Sequence, residues 1–185
     1  MRETGLYELS FTYRFEAAHR FTGSCSQACA TPHGHTWYAK ALFEAGENSL
    51  DRQNDMVMEF SRLKTNWKRF IQGTVDHSFM HHYQDPILPA LKEHIPGFRG
   101  LPFPGDPTTE LIAALFYAKL KVMHESLPGF GHIRPAGVVI RETPTNQIIF
   151  RASDDGKSQL IERVNASFNG WWQNPDPEAR ELSLL

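Results

Sequence analysis

Cysteine is scarce: the 185-residue chain holds two, Cys25 and Cys29. No disulfide scaffold is therefore expected, and a chain of this length buries enough apolar surface to fold without one. Long apolar runs are also missing. The longest, Leu111 to Ala118, stops at Lys119 and is far too short to span a bilayer. No run of Lys and Arg forms a basic arm, and the net charge of −2 gives no long-range pull toward nucleic acid. The opening Met-Arg-Glu-Thr-Gly lacks the apolar region of a secretory signal. These absences lead us to expect a cytoplasmic protein in a reducing compartment, with no membrane or nucleic-acid partner, whose thiols do chemistry or bind metal. There is no internal repeat and no low-complexity tract. A hydrophobic share of 41% and a charged share of 22% are ordinary for a globular chain, and a single domain over 1–185 is expected.

Histidine, by contrast, is abundant, at nine residues. The stretch SCSQACATPHGHTW, Ser24 to Trp37, puts two cysteines and two histidines into fourteen residues. It falls between two alternating runs. From Tyr7 to His19 the odd positions are Tyr, Leu, Phe, Tyr, Phe, Ala and His, against mostly polar even positions, which is the pattern of a half-buried strand. His33 to Ala45 alternates again, with Trp37, Ala39, Ala41 and Phe43 on the face of His33 and His35. The two runs make a natural antiparallel pair, joined by a loop over Thr22–Pro32.

Gly46 to Asp55 is a polar turn. Phe60, Leu63, Trp67, Phe70 and Ile71 recur at helical spacing, so Glu59 to about Gly73 is an amphipathic helix. A short His-rich segment, Val75 to His82, follows. Asp85 to Gly105 is expected to be largely irregular because of its prolines and glycines. Asp106-Pro107-Thr108-Thr109-Glu110 starts a second helix, with Asp106 as the cap and Pro107 at the first helical position. Arg134–Thr143 and Gln147–Ala152 are two further strands around a Pro144-Thr145-Asn146 turn. Lys157–Trp171 is a terminal helix, and the tail from Gln173 is frayed or packed on a partner. The order β-β-α-α-β-β-α points to an α+β fold: a four-stranded antiparallel sheet with two helices on one face, plus a C-terminal helix.

His33 and His35, two apart in a strand, leave the same face with Cα atoms roughly 6.7 Å apart. Gly34 between them lets backbone or a ligand approach closely. His19 ends the preceding strand and can come across to the pair. Three neutral imidazoles with a vacant fourth position are one common way to hold a catalytic zinc. Cys25 or Cys29 could close that site as a fourth ligand, or stay a free thiol whose pKa is lowered by the nearby charge. Taken alone, the other polar residues have ordinary readings. Asp76-His77 is a cap or solvated pair, Glu142 beside a hairpin turn faces solvent, and His81 and His82 are exposed. Trp171-Trp172 is core or interface packing.

The motifs taken in order resemble a known family. Phe15-Glu16-Ala17-Ala18-His19, then Cys29, three residues and His33-Gly34-His35, is similar to the zinc signature of the 6-pyruvoyl-tetrahydropterin and 6-carboxy-5,6,7,8-tetrahydropterin synthases. Asp55-Met56-Val57-Met58-Glu59-Phe60, Val75-Asp76-His77, Asp106-Pro107-Thr108-Thr109-Glu110 and Ile140-Arg141-Glu142-Thr143 resemble further family motifs, covering about residues 7–152. The resemblance implies the tunnelling fold (T-fold), Zn2+ on His19, His33 and His35, and Cys29 as general base. It makes Asp76 and His77 an acid/base couple and Glu142 the anchor for a pterin, with Thr109 in the same pocket. It also implies a trimer or hexamer in which four strands per subunit close into a ring, with sites between subunits. The short spacing from Cys29 to His33 resembles the carboxy branch. The implied activity is a zinc-dependent lyase converting 7,8-dihydroneopterin triphosphate to 6-carboxy-5,6,7,8-tetrahydropterin, in the route to queuosine-type deazapurines. The alternatives are a pyruvoyl-tetrahydropterin synthase and a non-catalytic zinc-binding paralogue. Several features depart from the family pattern: Asp55 where glycine is preferred, Glu59 for Asp, Pro32 before His33, the extra Cys25, the Gln84–Gly105 loop and the extension 153–185. Arg14, Arg20 and Lys40 are candidates to meet the triphosphate.

Overall fold

The computed structural model describes residues 7–23, 26–46, 49–153 and 158–185, so Cys25 lies outside the described residues. Strands β1 (Tyr7–His19) and β2 (His33–Ala45) pair antiparallel along their whole length, with His19 opposite His33. A single helical turn, α1 (Gln27–Ala30), sits in the connection. β5 (Ile133–Arg141) pairs with β2, and β6 (Gln147–Arg151) pairs with β5. These are the four antiparallel strands expected from alternation.

The sheet is larger than expected. β3 (Ser78–His82) and β4 (Gly100–Phe103) extend it to six strands in the order β4-β3-β1-β2-β5-β6. β3 runs parallel to β1, and β4 parallel to β3. The supposedly irregular 85–105 region thus contains β4 and a short helix, α3 (Leu88–His94). β3 is buried at four successive positions, so it carries no alternation to read, as is usual for strands in parallel sheets. This also corrects the reading of His81, which is buried.

Helix α2 (Phe60–Arg69) buries Leu63 and Trp67 and continues into a π-helical turn, Phe70–Val75. α4 (Thr109–Glu125) starts three residues later than Asp106: Thr108 is the cap, its side chain accepting from the Leu111 amide. Asp106 has a different task, described below. α4 is buried nearly all round, including Ile112, Leu115, Phe116, Lys119 and Met123, which requires cover on both sides. The sheet covers one side. The other is met by the C-terminal chain, which forms α5 (Gln159–Asn165), β7 (Phe168–Gly170), a 3-10 turn at Trp171–Gln173 and β8 (Leu182–Leu184). The terminal helix is therefore shorter than the expected 157–171. The tail is not frayed, since β8 pairs with β7. Trp171 and Trp172 are fully buried, in keeping with their packing role. No helix among the described residues is long and apolar enough to cross a membrane.

Candidate metal centre

His19, His33 and His35 form one cluster, with ligand nitrogens within 4.8 Å of one another. The β1–β2 register produces it: His19 faces His33, and His35 stands opposite Ala17 on the same face. Ring centroids lie 4.6, 5.2 and 4.9 Å apart, and Trp37 packs edge-on against both His19 and His35. Two of the rings are oriented by backbone. His19 Nδ1 lies 3.0 Å from the Pro107 carbonyl, and His33 Nδ1 lies 2.8 Å from the Thr31 carbonyl. A carbonyl only accepts, so each Nδ1 carries the proton and each Nε2 keeps a free lone pair. Those two Nε2 atoms lie 3.1 Å apart, close enough to serve one ion. Burial pushes His19 down to about 4, with the neighbouring imidazoles adding to the effect and the Pro107 carbonyl opposing it; burial also lowers His35. Neutral imidazoles are what a metal needs. The donor set, the tautomers and the convergence all fit a divalent ion.

Glu142 stands beside this cluster, its Oε1 3.7 Å from His19 Nε2 and 4.0 Å from His35 Nε2. The Thr109 hydroxyl donates to the same oxygen at 3.3 Å. Glu142 is therefore not solvent-facing: its side chain is 19% exposed, and the end of β5 and the start of α4 bring it together with Thr109. Cys29 is a free thiol in α1 and lies outside the imidazole group. Its carbonyl accepts from the Phe21 amide, which closes the base of the loop. Asp106 fixes the same loop from the other side, accepting from the Thr22 amide, the Thr22 hydroxyl and the Gly23 amide at 2.7–2.9 Å. Partial burial works to raise its pKa, but those three donors hold it below the usual carboxylate value. Neither the Asp106 clamp nor the Pro107 carbonyl had a signal in the sequence beyond the motif that contains them.

Asp76 and His77 form a couple, with Nδ1 to Oδ2 at 3.0 Å. They lie at the edge of β1: the Glu16 amide donates to Asp76 Oδ1 at 2.8 Å, and the His77 amide to the Glu16 carbonyl. Glu16, Ala18, Gly34 and Thr36, on the even-numbered face of β1 and β2, line an open cleft of about 390 Å³ together with His77 and Ser78, and His35 of the imidazole cluster and Ala17 opposite it border the same cleft. Within one chain, then, His19 and His33 lie on the helix-covered face of the sheet and the Asp76–His77 couple borders the opposite face. At the cleft, Glu16 accepts from the Thr36 hydroxyl at 2.8 Å and Arg14 Nε at 2.9 Å, and both bonds lower its pKa. Arg20 pairs through Nε with buried Asp85 at 2.9 Å.

A sequence model described as 6-pyruvoyl tetrahydropterin synthase matches residues 8–153. The 6-carboxy-5,6,7,8-tetrahydropterin synthase of Aquifex aeolicus is 32% identical over 162 residues, covering 78% of this chain and 98% of that protein. The protein of the same name from Bacillus subtilis is 26% identical over 157 residues, covering 81% and 88%. Among solved structures, an uncharacterized protein of Wolinella succinogenes superposes with a TM-score of 0.64 at 22% identity, covering 80% of this chain and 98% of that one. The 6-pyruvoyl tetrahydropterin synthase of Caenorhabditis elegans gives 0.54 at 24%, covering 83% and 100%. The chain belongs to the 6-pyruvoyl tetrahydropterin synthase family of enzymes and has its α+β tunnelling fold.

Proposed function

We propose that the chain is a 6-carboxy-5,6,7,8-tetrahydropterin synthase, a zinc-dependent lyase that releases acetaldehyde and triphosphate from 7,8-dihydroneopterin triphosphate. The observation that carries the reading is the convergence of three imidazoles, two with Nε2 freed by a carbonyl at Nδ1. The names of the curated relatives favour the carboxy product over the pyruvoyl one. His19, His33 and His35 would hold Zn2+, which would supply Lewis-acid stabilisation of charge on the substrate side-chain oxygens. Glu142 accepts from the 2-amino and N3–H edge of the pterin, with Thr109 holding the carboxylate in place. Cys29, as thiolate, takes a side-chain proton. His77 moves the partner proton, its ring oriented by Asp76.

The couple borders the open face of the sheet while His19 and His33 lie on the helix-covered one, an arrangement that suits sites shared between subunits. β3 covers β1 only at Ala17–His19, so Tyr7 to Phe15 present an outer edge without a strand partner among the described residues. Such an edge is closed by pairing with another copy. A homo-oligomer with a pterin as its small-molecule partner fits these features, and the two-cysteine composition suits the reducing cytoplasm as its location.

The test is incubation of zinc-loaded protein with 7,8-dihydroneopterin triphosphate and mass analysis of the product. A carboxy-tetrahydropterin is expected, and Cys29→Ala should abolish turnover while the metal stays bound. A pyruvoyl product would move the chain to the other branch of the family. Bound metal without turnover would make it a non-catalytic paralogue, and loss of metal from Cys29→Ala would make the thiol a ligand.

A further inference from the structure

The chain beyond residue 153 lies outside the matched family region, yet it meets the segment that delivers Asp76 and His77. We propose that this C-terminal segment is a strap that positions the Asp76–His77 couple, with Arg180 and Thr74 as positioning residues acting through the π-helical turn Phe70–Val75. The proposal rests on the reading of that couple as the proton-handling pair.

The π turn closes with the Asp76 amide on the Ile71 carbonyl, and the chain then leaves the helix. In a continuing helix the Gly73 carbonyl would accept from an amide four or five residues on. The nearer of these, the His77 amide, is used by the Glu16 carbonyl. Carbonyls orphaned at a helix end need another donor. Two guanidinium groups supply it: Arg99 at 2.8 Å, which also reaches the Asp76 carbonyl at 3.2 Å, and Arg180 at 2.6 Å. The next residue, Thr74, is buried and donates its hydroxyl to the Pro177 carbonyl at 2.8 Å. One helical turn earlier, Arg69 pairs with Glu178 at 2.8 Å. Residues 177–180 thus run along the turn, touching it at Gly73 and Thr74 and the end of α2 at Arg69.

The strap is itself anchored. Lys119 of α4, fully buried, donates to the carbonyls of Trp171, Asn174 and Asp176 at 2.9, 2.6 and 2.5 Å. The Trp171 ring stacks on Phe70, the first residue of the π turn, with centroids 5.6 Å apart. On the far side β1 grips the couple through the amide and carbonyl of Glu16. Between these two supports His77 is held at φ +57°, a left-handed conformation that a non-glycine residue keeps only where its surroundings enforce it. Releasing one support lets the turn relax and carries the His77 ring away from Asp76.

The test uses the full-length, zinc-loaded enzyme with Arg180→Ala, Thr74→Val and Arg180→Lys. We expect kcat to fall roughly tenfold in the first two, the scale of a small misplacement of a reacting group, with KM and metal content unchanged. Arg180→Lys should recover most of the loss, because one ammonium donor serves one carbonyl. Long-range ¹H–¹⁵N spectra of the His77 ring provide a readout independent of turnover. In the wild type the proton should sit on Nδ1, facing Asp76; in Arg180→Ala the two tautomers should mix. Unchanged kcat with an unchanged ring spectrum would overturn the strap, as would a rise in KM with kcat intact. If the wild type fails to turn over the pterin, the functional reading falls, and the ring spectrum still decides the strap.

Discussion

Asp55 adopts φ +51°, the left-handed region that favours glycine, at the position where the motif resemblance calls for glycine. The departure therefore preserves a backbone requirement, because aspartate tolerates that conformation better than most side chains. Asp55→Gly should leave the unfolding free energy within about 0.5 kcal/mol of wild type, whereas a β-branched Asp55→Val should cost about 1–2 kcal/mol, both measured by urea denaturation. Gly34 is a different case. A Cβ there would come no closer than 3.7 Å to the Ala17 carbonyl, so packing does not require glycine. A Cβ at this position would instead point toward the cleft bounded by Glu16, Thr36 and His77. Gly34→Val should keep the melting temperature and metal content of the wild type and lower turnover by an order of magnitude or so, which steady-state kinetics will show. At this scale the imidazole triad was legible because alternation puts His33, His35 and Trp37 on one face. The meeting of Thr109 with Glu142 was not, because it depends on how the start of α4 lies over the end of β5.

Strands with one wet face announce themselves, and β1, β2, β5 and β6 match the expected bounds to within two residues. β3 and β4 escaped notice for opposite reasons: one is buried on both faces, and the other is an edge strand of four residues containing Pro102. The C-terminal chain misled because its polarity suggested freedom, whereas its carbonyls converge on a lysine embedded in an apolar helix. That lysine gives a test of the element. Lys119→Met keeps the volume and strips the donors from three carbonyls, which should destabilise the chain by about 1–3 kcal/mol at pH 7. Burial pushes Lys119 down from 10.5 to about 8, with Asp176 opposing. The unfolded chain therefore holds the proton more tightly than the folded one between about pH 8 and 10.5, and across that window this group makes stability rise with pH. Below about pH 8 the lysine is charged in both states and contributes no slope. The difference in unfolding free energy between wild type and K119M should be flat from about pH 6.5 to 7.5 and larger by about pH 9.5. A difference that shrinks over that range would show that the folded chain binds the proton more tightly than the unfolded one.

For the molecule as a whole, one chain holds every residue that the proposed chemistry needs but does not gather them. The imidazoles, Glu142 and Thr109 sit under the helices at one end of the sheet, while Asp76 and His77 border the open face, beside a strand edge that lacks a partner among the described residues from Tyr7 to Phe15. If neighbouring copies close that edge, a complete site takes its thiol from one subunit and its imidazole couple from the next. Cys29→Ala and His77→Ala would then each be inactive alone yet complement each other. In a randomly mixed ring with equal amounts of the two, a site drawing on two chains finds both contributions intact in about one case in four. Co-expressing the two variants with different tags and purifying through both tags removes the inactive single-variant assemblies, so the mixed ones should recover roughly a third of wild-type turnover for a trimer and about a quarter for a hexamer. Sites built within a single chain would give none at any ratio, because every chain in the mixture lacks either Cys29 or His77. Mixed assemblies of confirmed composition that stay inactive would therefore return the whole site to one subunit, and the couple would need another route to the imidazole cluster.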